Sequence, residues 1–188
     1  VATLTLMRAV PWIPERAENA RAVAAAAAPV TIVWDRDHSS ALTFRRLIEA
    51  AGDQSAILLE DDIELCPDWR RRVEAVVAAR PDQVIQFFST RGSDVGRGPH
   101  DRPGADFVNS QCFYLPGRLA GPLRDQLAAE PVVPNGPGCL NDLALARVLK
   151  ARRERYHQFL PSLVQHLPWR SAANPSRALH RDSLTYGR

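Results

Sequence analysis

Ala56-Ile57-Leu58-Leu59-Glu60-Asp61-Asp62-Ile63-Glu64 carries four apolar residues directly into three consecutive carboxylates. An apolar run without polar alternation reads as a strand buried on both faces, as in parallel sheets covered by helices. The acids then emerge at its C-terminal end, where open α/β sheets place their ligand crevice. Adjacent carboxylates repel one another, and partial burial strengthens the repulsion. A divalent cation that favours oxygen ligands, magnesium or manganese, would relieve it. A solvated acidic turn after a core strand accounts for the tripeptide equally well.

Patterns on either side extend this strand into an order of elements. Thr3 to Val10 alternates as a short strand that Pro11-Trp12-Ile13-Pro14 stops. Glu15 to Ala28 is an alanine-rich helix ended by Pro29. Val30 to Trp34 is a β-branched strand with Asp35-Arg36-Asp37-His38 at its C-terminal end. Ser39 or Ser40 can cap a helix from Ala41 to Ala51, which Gly52 closes. After the acids, Cys66-Pro67-Asp68-Trp69 opens a helix to about Arg80, and Val84 to Phe88 is a further strand. Strand and helix thus alternate four strands long, the signature of an open, mainly parallel sheet with right-handed crossovers and helices on both faces.

Downstream, Thr90 to Pro103 reads as a long mobile loop, Phe107 to Leu115 as a strand and Leu119 to Ala129 as a helix. Pro131 to Gly138 is a second irregular loop, and Leu140 to Tyr156 a strong helix. The chain after Pro161 is basic and rich in turn formers, a tail that wraps the domain.

Composition sets the bounds. A chain of 188 residues is one α/β domain with a real core. Its 45% hydrophobic and 24% charged content is ordinary for a globular protein. No apolar run approaches the roughly 20 residues that cross a bilayer, and no basic-then-apolar leader opens the chain, so a cytoplasmic location is expected. Cys66, Cys112 and Cys139 are odd in number and widely spaced, which suits reduced structural thiols. Net charge is +3, yet Lys150 is the only lysine. A GC-rich genome produces that bias; so does selection for a planar head that grips phosphate.

Several chemistries are excluded by absent motifs. No Gly-x-Gly-x-x-Gly follows a strand, no Gly-Lys-Ser/Thr phosphate loop occurs, and there is no Gly-x-Ser-x-Gly elbow. What remains is a doubly wound domain with acids ending its second and third strands. In this it resembles the nucleotide-sugar glycosyltransferases of the GT-A fold. Glu60-Asp61-Asp62 stands where that superfamily carries its Asp-x-Asp-type motif, within Leu-Glu-Asp-Asp-Ile-Glu-x-x-Pro-Asp-Trp.

The resemblance implies roles for individual residues. Glu60 or Asp61 would face the donor ribose, and Asp62 would hold the Mn2+ or Mg2+ that bridges the diphosphate. Asp35 would meet the nucleobase, Arg8, Pro11 and Arg16 would touch the nucleoside, and Arg45 could reach a phosphate. Gly138-Cys139-Leu140-Asn141-Asp142 matches a motif that ends Glu-Asp and delivers the catalytic base. Asn141 departs from it and leaves Asp142 as the candidate; an ordinary helix cap is the competing reading. Pro161-Ser162-Leu163-Val164-Gln165-His166 resembles the segment that brings a histidine to the metal, with His180 in reserve behind His166. The implied organisation is a nucleotide-binding half (1–90), an acceptor and catalytic half (91–160) and a metal-ligand and basic segment (161–188).

The expected activity is transfer of a sugar from a nucleotide-sugar, a UDP-hexose, to an acceptor hydroxyl, with inversion if Asp142 is the base. The acceptor is open. Arg147, Lys150, Arg152, Arg153 and Arg155 on one predicted helix, followed by Arg170, Arg177, Arg181 and Arg188, could track a polyphosphate backbone. Small bacteriophage enzymes that glucosylate hydroxymethylated pyrimidines in DNA would fit, with Arg147, Arg152 and Arg153 on the DNA. A solvated helix face explains the same residues. Saccharide, lipid-linked glycan and protein acceptors stay open, as do a nucleotidyltransferase, which would want glycine and lysine near Met7 to Pro11, and an inert nucleotide-binding module.

Overall fold

The computed structural model of the chain describes residues 3–130, 141–169 and 183–186. Its centre is a seven-stranded mixed sheet. The strands are β1 (Leu4–Ala9), β2 (Thr31–Trp34), β3 (Ala56–Glu60), β5 (Ile85–Gln86), β6 (His100–Pro103), β7 (Cys112–Leu115) and β8 (Arg155–Gln158). The spatial order is β2-β1-β3-β7-β5-β8-β6. Strands β1, β2, β3, β5 and β8 run one way, and β7 and β6 oppose them. The expected α/β domain with an open, mostly parallel sheet is what forms.

The apolar run of β3 is buried throughout, and the pleat explains why. Alternate side chains point to opposite faces. Ile57 and Leu59 join Met7, Cys112, Tyr114, Trp69, Val73 and Val23 on one face. Leu58 joins Leu6, Phe113, Leu115, Phe44, Leu145 and Leu149 on the other. Helices α1 (Pro14–Ala26) and α3 (Trp69–Ala79) cover the first face; α2 (Ser40–Ala51), α4 (Ala120–Ala129) and α5 (Asn141–Ala151) cover the second. Each large apolar side chain so covered contributes about 1.5–3 kcal/mol.

Local signals set most helix ends. Pro14 enters α1 at its first turn, where a missing N–H costs nothing. The Ser39 side chain accepts from Leu42 N at 3.3 Å to cap α2, and Gly52 closes it at φ 58°. Cys66 and Cys112 are free and buried, and burial pushes both thiols up, as expected of structural cysteines. Cys139 lies outside the described residues. Among the described residues no helix is long and apolar enough to cross a membrane.

Three expectations are corrected. The helix expected to run to Tyr156 stops at Ala151. Arg153 turns left-handed (φ 55°), and Arg155–Gln158 leaves as β8, where it pairs with β5 and β6. Pairing on both edges outweighs the helical propensity of its residues. Secondly, Thr90 to Pro103 is not a free loop. Asp94, fully buried, accepts from Ser89 Oγ at 2.5 Å and pairs with Arg102, while His100–Pro103 forms the edge strand β6. Thirdly, the strand expected from Phe107 begins only at Cys112.

Of the chain after Pro161, residues 161–169 and 183–186 are described, and part of them is a strand. β4 (Ile63–Leu65), just past the acids, pairs antiparallel with β9 (Val164–His166). That two-stranded ribbon sets Ile63 opposite His166, and Leu167 N donates to Asp62 O at 2.8 Å.

Candidate functional site

Because five strands share a direction, their C-terminal ends share one edge of the sheet. Val10, Asp35 and the Glu60-Asp61-Asp62 turn meet there. Each of the three acids has its own surroundings.

Glu60 is opposite Arg8 in the β1–β3 register. Neighbouring strands put these side chains on one side, and Arg8 Nη2 lies 2.8 Å from Glu60 Oε1. Ser110 Oγ donates to the same oxygen at 2.8 Å. Arg8 also reaches Ser40 Oγ at the start of α2.

Asp61, expected at the donor ribose, is turned into the protein and is 1% exposed. One oxygen accepts from Val10 N at 2.7 Å, and both accept from the Arg16 guanidinium. Asn19 Nδ2 donates to the carbonyls of Asp61 (2.7 Å) and Ile63 (2.9 Å). Asp61 therefore fastens the end of β3 to the end of β1 and to α1. Its acceptor sites are filled from inside.

Asp62 is 4% exposed, with Oδ2 3.1 Å from Arg16 Nη2 and 3.4 Å from His166 Nε2. Two carboxylates sharing one desolvated place split in acidity. Burial pushes Asp61 up to about 6 against the pull of Arg16, and the charge of Asp62 adds to the rise. Burial also opposes ionisation of Asp62, but Arg16, His166 and Arg8 outweigh it and hold Asp62 well below the usual carboxylate range. The repulsion inferred from the tripeptide is thus met largely by two arginines.

Asp62 and His166 nevertheless suit a cation. Among the described residues Asp62 Oδ1 and His166 Nδ1 are buried without a hydrogen-bond partner, and an ionised carboxylate beside an imidazole is a fitting donor pair for Mn2+ or Mg2+. Among the described residues no three His, Cys, Asp or Glu side chains converge on one point. An ion there would need further ligands, and magnesium commonly keeps several waters.

Asp142 opens α5 on this same edge. Its Oδ2 accepts from Asn109 N at 3.1 Å and its Oδ1 from Leu143 N at 3.0 Å. Asn109 and Ser110 are consecutive, so a single step of chain links the Asp142 contact to the Glu60 contact. The second of these bonds stays within the first turn of α5; the first reaches across to another segment.

Other expected residues sit as follows. Pro11 is exposed in the turn between β1 and α1. Asp35 is buried, and its Oδ1 accepts from Asp37 N (3.2 Å) and Ser39 N (3.1 Å), shaping the turn into α2. Beside that turn, the rings of Trp12 and His38 stack with centroids 3.8 Å apart. Arg45, expected at a phosphate, instead donates to the Leu127 and Glu130 carbonyls at the end of α4. Arg147 pairs with buried Glu130 at 2.6 Å.

Arg152 and Arg153 precede β8, so they lie at the N-terminal edge of the sheet, about 15 Å down a strand and about 14 Å across three strand spacings from the acids. There Arg152 pairs with Glu154 (2.9 Å), and Glu154 also holds Arg118 (2.6 Å). His180, Arg170, Arg177 and Arg181 fall outside the described residues, as does the Pro131 to Gly138 loop. Asn109, Ser110, Asn19 and Gln86 contribute to the site without any motif in the sequence to mark them.

No protein-family model matches the chain, and no curated protein matches it. Among solved structures it is similar to A197 from STIV, at 12% identity and TM-score 0.52, over 89% of this chain and 86% of that one. It is also similar to a glycosyltransferase involved in the glycosylation of the major capsid of PBCV-1, at 11% identity and TM-score 0.46, over 92% of this chain and 97% of that one. At such identity the likeness to A197 is one of fold.

Proposed function

We propose that this chain is a metal-dependent glycosyltransferase that moves a sugar from a nucleotide-sugar, a UDP-hexose being the leading donor, to an acceptor hydroxyl. The observation that carries the reading is one sheet edge that holds Asp62 beside His166 and, two residues earlier, Glu60, which Ser110 and Asn109 tie to Asp142.

In this reading Asp62 and His166 hold Mn2+ or Mg2+, which when bound neutralises charge on the departing nucleoside diphosphate. Arg8 and Glu60, fixed to each other and to Ser40 and Ser110, line the floor next to the sugar. Asp61 and Arg16 carry no substrate; they keep the acidic turn in place. Asp142, half-buried and oriented by Asn109 N, removes the acceptor proton, which implies inversion at the anomeric carbon.

The acceptor lies against the half-buried polar rim of Thr90, Asn109 and Ser110. A DNA acceptor gripped by Arg152 and Arg153 would have to bridge from the opposite edge of the sheet to Asp142. The test is a screen of nucleotide-sugars with simple saccharides and hydroxymethylated DNA, with and without manganese, read by mass spectrometry of product. Manganese-dependent transfer to any hydroxyl supports the reading. Donor binding without turnover would point to an inert binding module, and release of pyrophosphate to a nucleotidyltransferase.

A further inference from the structure

We infer that Asn109 is a positioning residue: its main-chain N–H, aimed by a left-handed backbone that buried Gln86 clamps, sets the direction of the Asp142 carboxylate. This deepens the proposed function and rests on Asp142 being the base.

Asn109 has φ 70°, a region that β-branched side chains avoid and asparagine tolerates. Non-glycine residues in this conformation persist where their surroundings over-determine them, and they gather at functional sites. Here the surroundings are visible. Gln86, 1% exposed in the middle of the sheet, donates its amide to the Val108 and Asn109 carbonyls. Its main chain is held from both sides, by the register with Phe113 and Gln158 and by Phe159 N donating to Gln86 O at 2.9 Å. Asn109 Nδ2 adds a bond to Thr90 Oγ1 at 3.1 Å.

With both carbonyls tied down, the N–H of Asn109 is left to point outward. It meets Asp142 Oδ2 at 3.1 Å, 33 residues along the chain. The next side chain, Ser110, meets Glu60 at 2.8 Å, and the next carbonyl, Gln111 O, accepts from Glu60 N at 3.0 Å. One rigid tetrapeptide therefore orients both acids from a single core amide. An acid that merely serves the start of a helix bonds within its own first turn; the bond from Asn109 N comes from a segment 33 residues away and restricts which way the second oxygen faces.

The test compares Asn109→Val, which disfavours the left-handed backbone, with Asn109→Gly, which keeps both that backbone and the N–H. With the donor and acceptor found for the wild type, Asn109→Val is expected to lower kcat about tenfold or more with donor KM unchanged, since small misplacements of reacting groups carry penalties of this size. Asn109→Gly recovers most of that turnover, and Gln86→Leu reproduces the Asn109→Val defect. Independently of activity, the Asn109 amide resonance in a 1H–15N spectrum shifts upfield in Asp142→Ala. An active wild type with Asn109→Val at full kcat overturns the positioning role alone, as does an Asn109 amide indifferent to Asp142→Ala. Asn109→Val and Asn109→Gly equally impaired would also overturn it, because the backbone would not be the cause. A wild type inert with every donor overturns the function, and the positioning role with it.

Discussion

Arg16 is the residue on which the acidic turn depends, and its replacement by leucine makes a quantitative test. The guanidinium is 4% exposed, holds both oxygens of Asp61 and lies 3.1 Å from Asp62. Leucine preserves apolar volume on α1 but leaves two buried carboxylates facing each other. Removing one partner of a buried ion pair costs about 3–5 kcal/mol, because the survivor stays desolvated and unpaired. Against a total stability of roughly 5–15 kcal/mol, that is a large share. With a urea slope of about 2 kcal/mol/M, the unfolding midpoint should drop by about 2 M, measured in chelator so that no cation substitutes for the arginine.

The deficit has a pH signature. Without Arg16 both carboxylates titrate above their unfolded values, so the folded variant binds more protons than the unfolded chain. Its stability then rises as pH falls and is lost as pH rises through the folded values. The gap to wild type should be widest near pH 8 and narrow toward pH 5. Adding Asp61→Asn to Arg16→Leu should recover part of the loss, as a coupled pair requires. A cost below about 1 kcal/mol, the size expected of an exposed pair, would refute this account of the turn, and so would a deficit that does not vary with pH.

Other outcomes follow from the same geometry. Asp142→Asn should leave donor affinity nearly unchanged and cut turnover by about 100-fold; turnover near wild type would reduce Asp142 to a helix cap. Asp62→Ala should abolish the manganese dependence of donor binding in calorimetry while circular dichroism stays native, and full activity in excess chelator would remove the metal from the proposal. Arg152→Ala with Arg153→Ala should change turnover by no more than about twofold, since surface substitutions away from a site are mild; a large loss of DNA-directed transfer would restore the arginines to the acceptor site. The hydrogen bond from Arg118 holds Glu154 below its usual value, against burial. Glu154→Gln should therefore cost about 0.5 kcal/mol near neutrality, allowing for the exposure of the pair. That contribution exists above the unfolded value and is lost as pH falls through the folded one, so wild type and variant should converge below about pH 4.5 in urea titrations.

Local sequence patterns set the alternation of strands and helices from Leu4 to Gln86 and put the acids at the end of β3. Those features are local: apolar runs, β-branched residues, Ser39, Gly52 and the prolines write their conformation in adjacent residues. Short motifs also singled out Asp62, His166 and Asp142 as candidates. Tertiary structure alone decided what surrounds them. That Arg16 faces Asp61 depends on α1 packing across the end of β1, 45 residues away in the chain. That His166 reaches Asp62 depends on the β4–β9 register, and that Asn109 reaches Asp142 on a left-handed residue clamped by Gln86. The end of α5 and the edge strand β6 were misread because their residues carry ordinary helix or loop patterns. Hydrogen bonding to partners far along the chain overrode those local preferences. The same crossover carries Arg152 and Arg153 to the other edge of the sheet, since the direction of β8 is settled by its pairing with β5 and not by the charge of the residues before it.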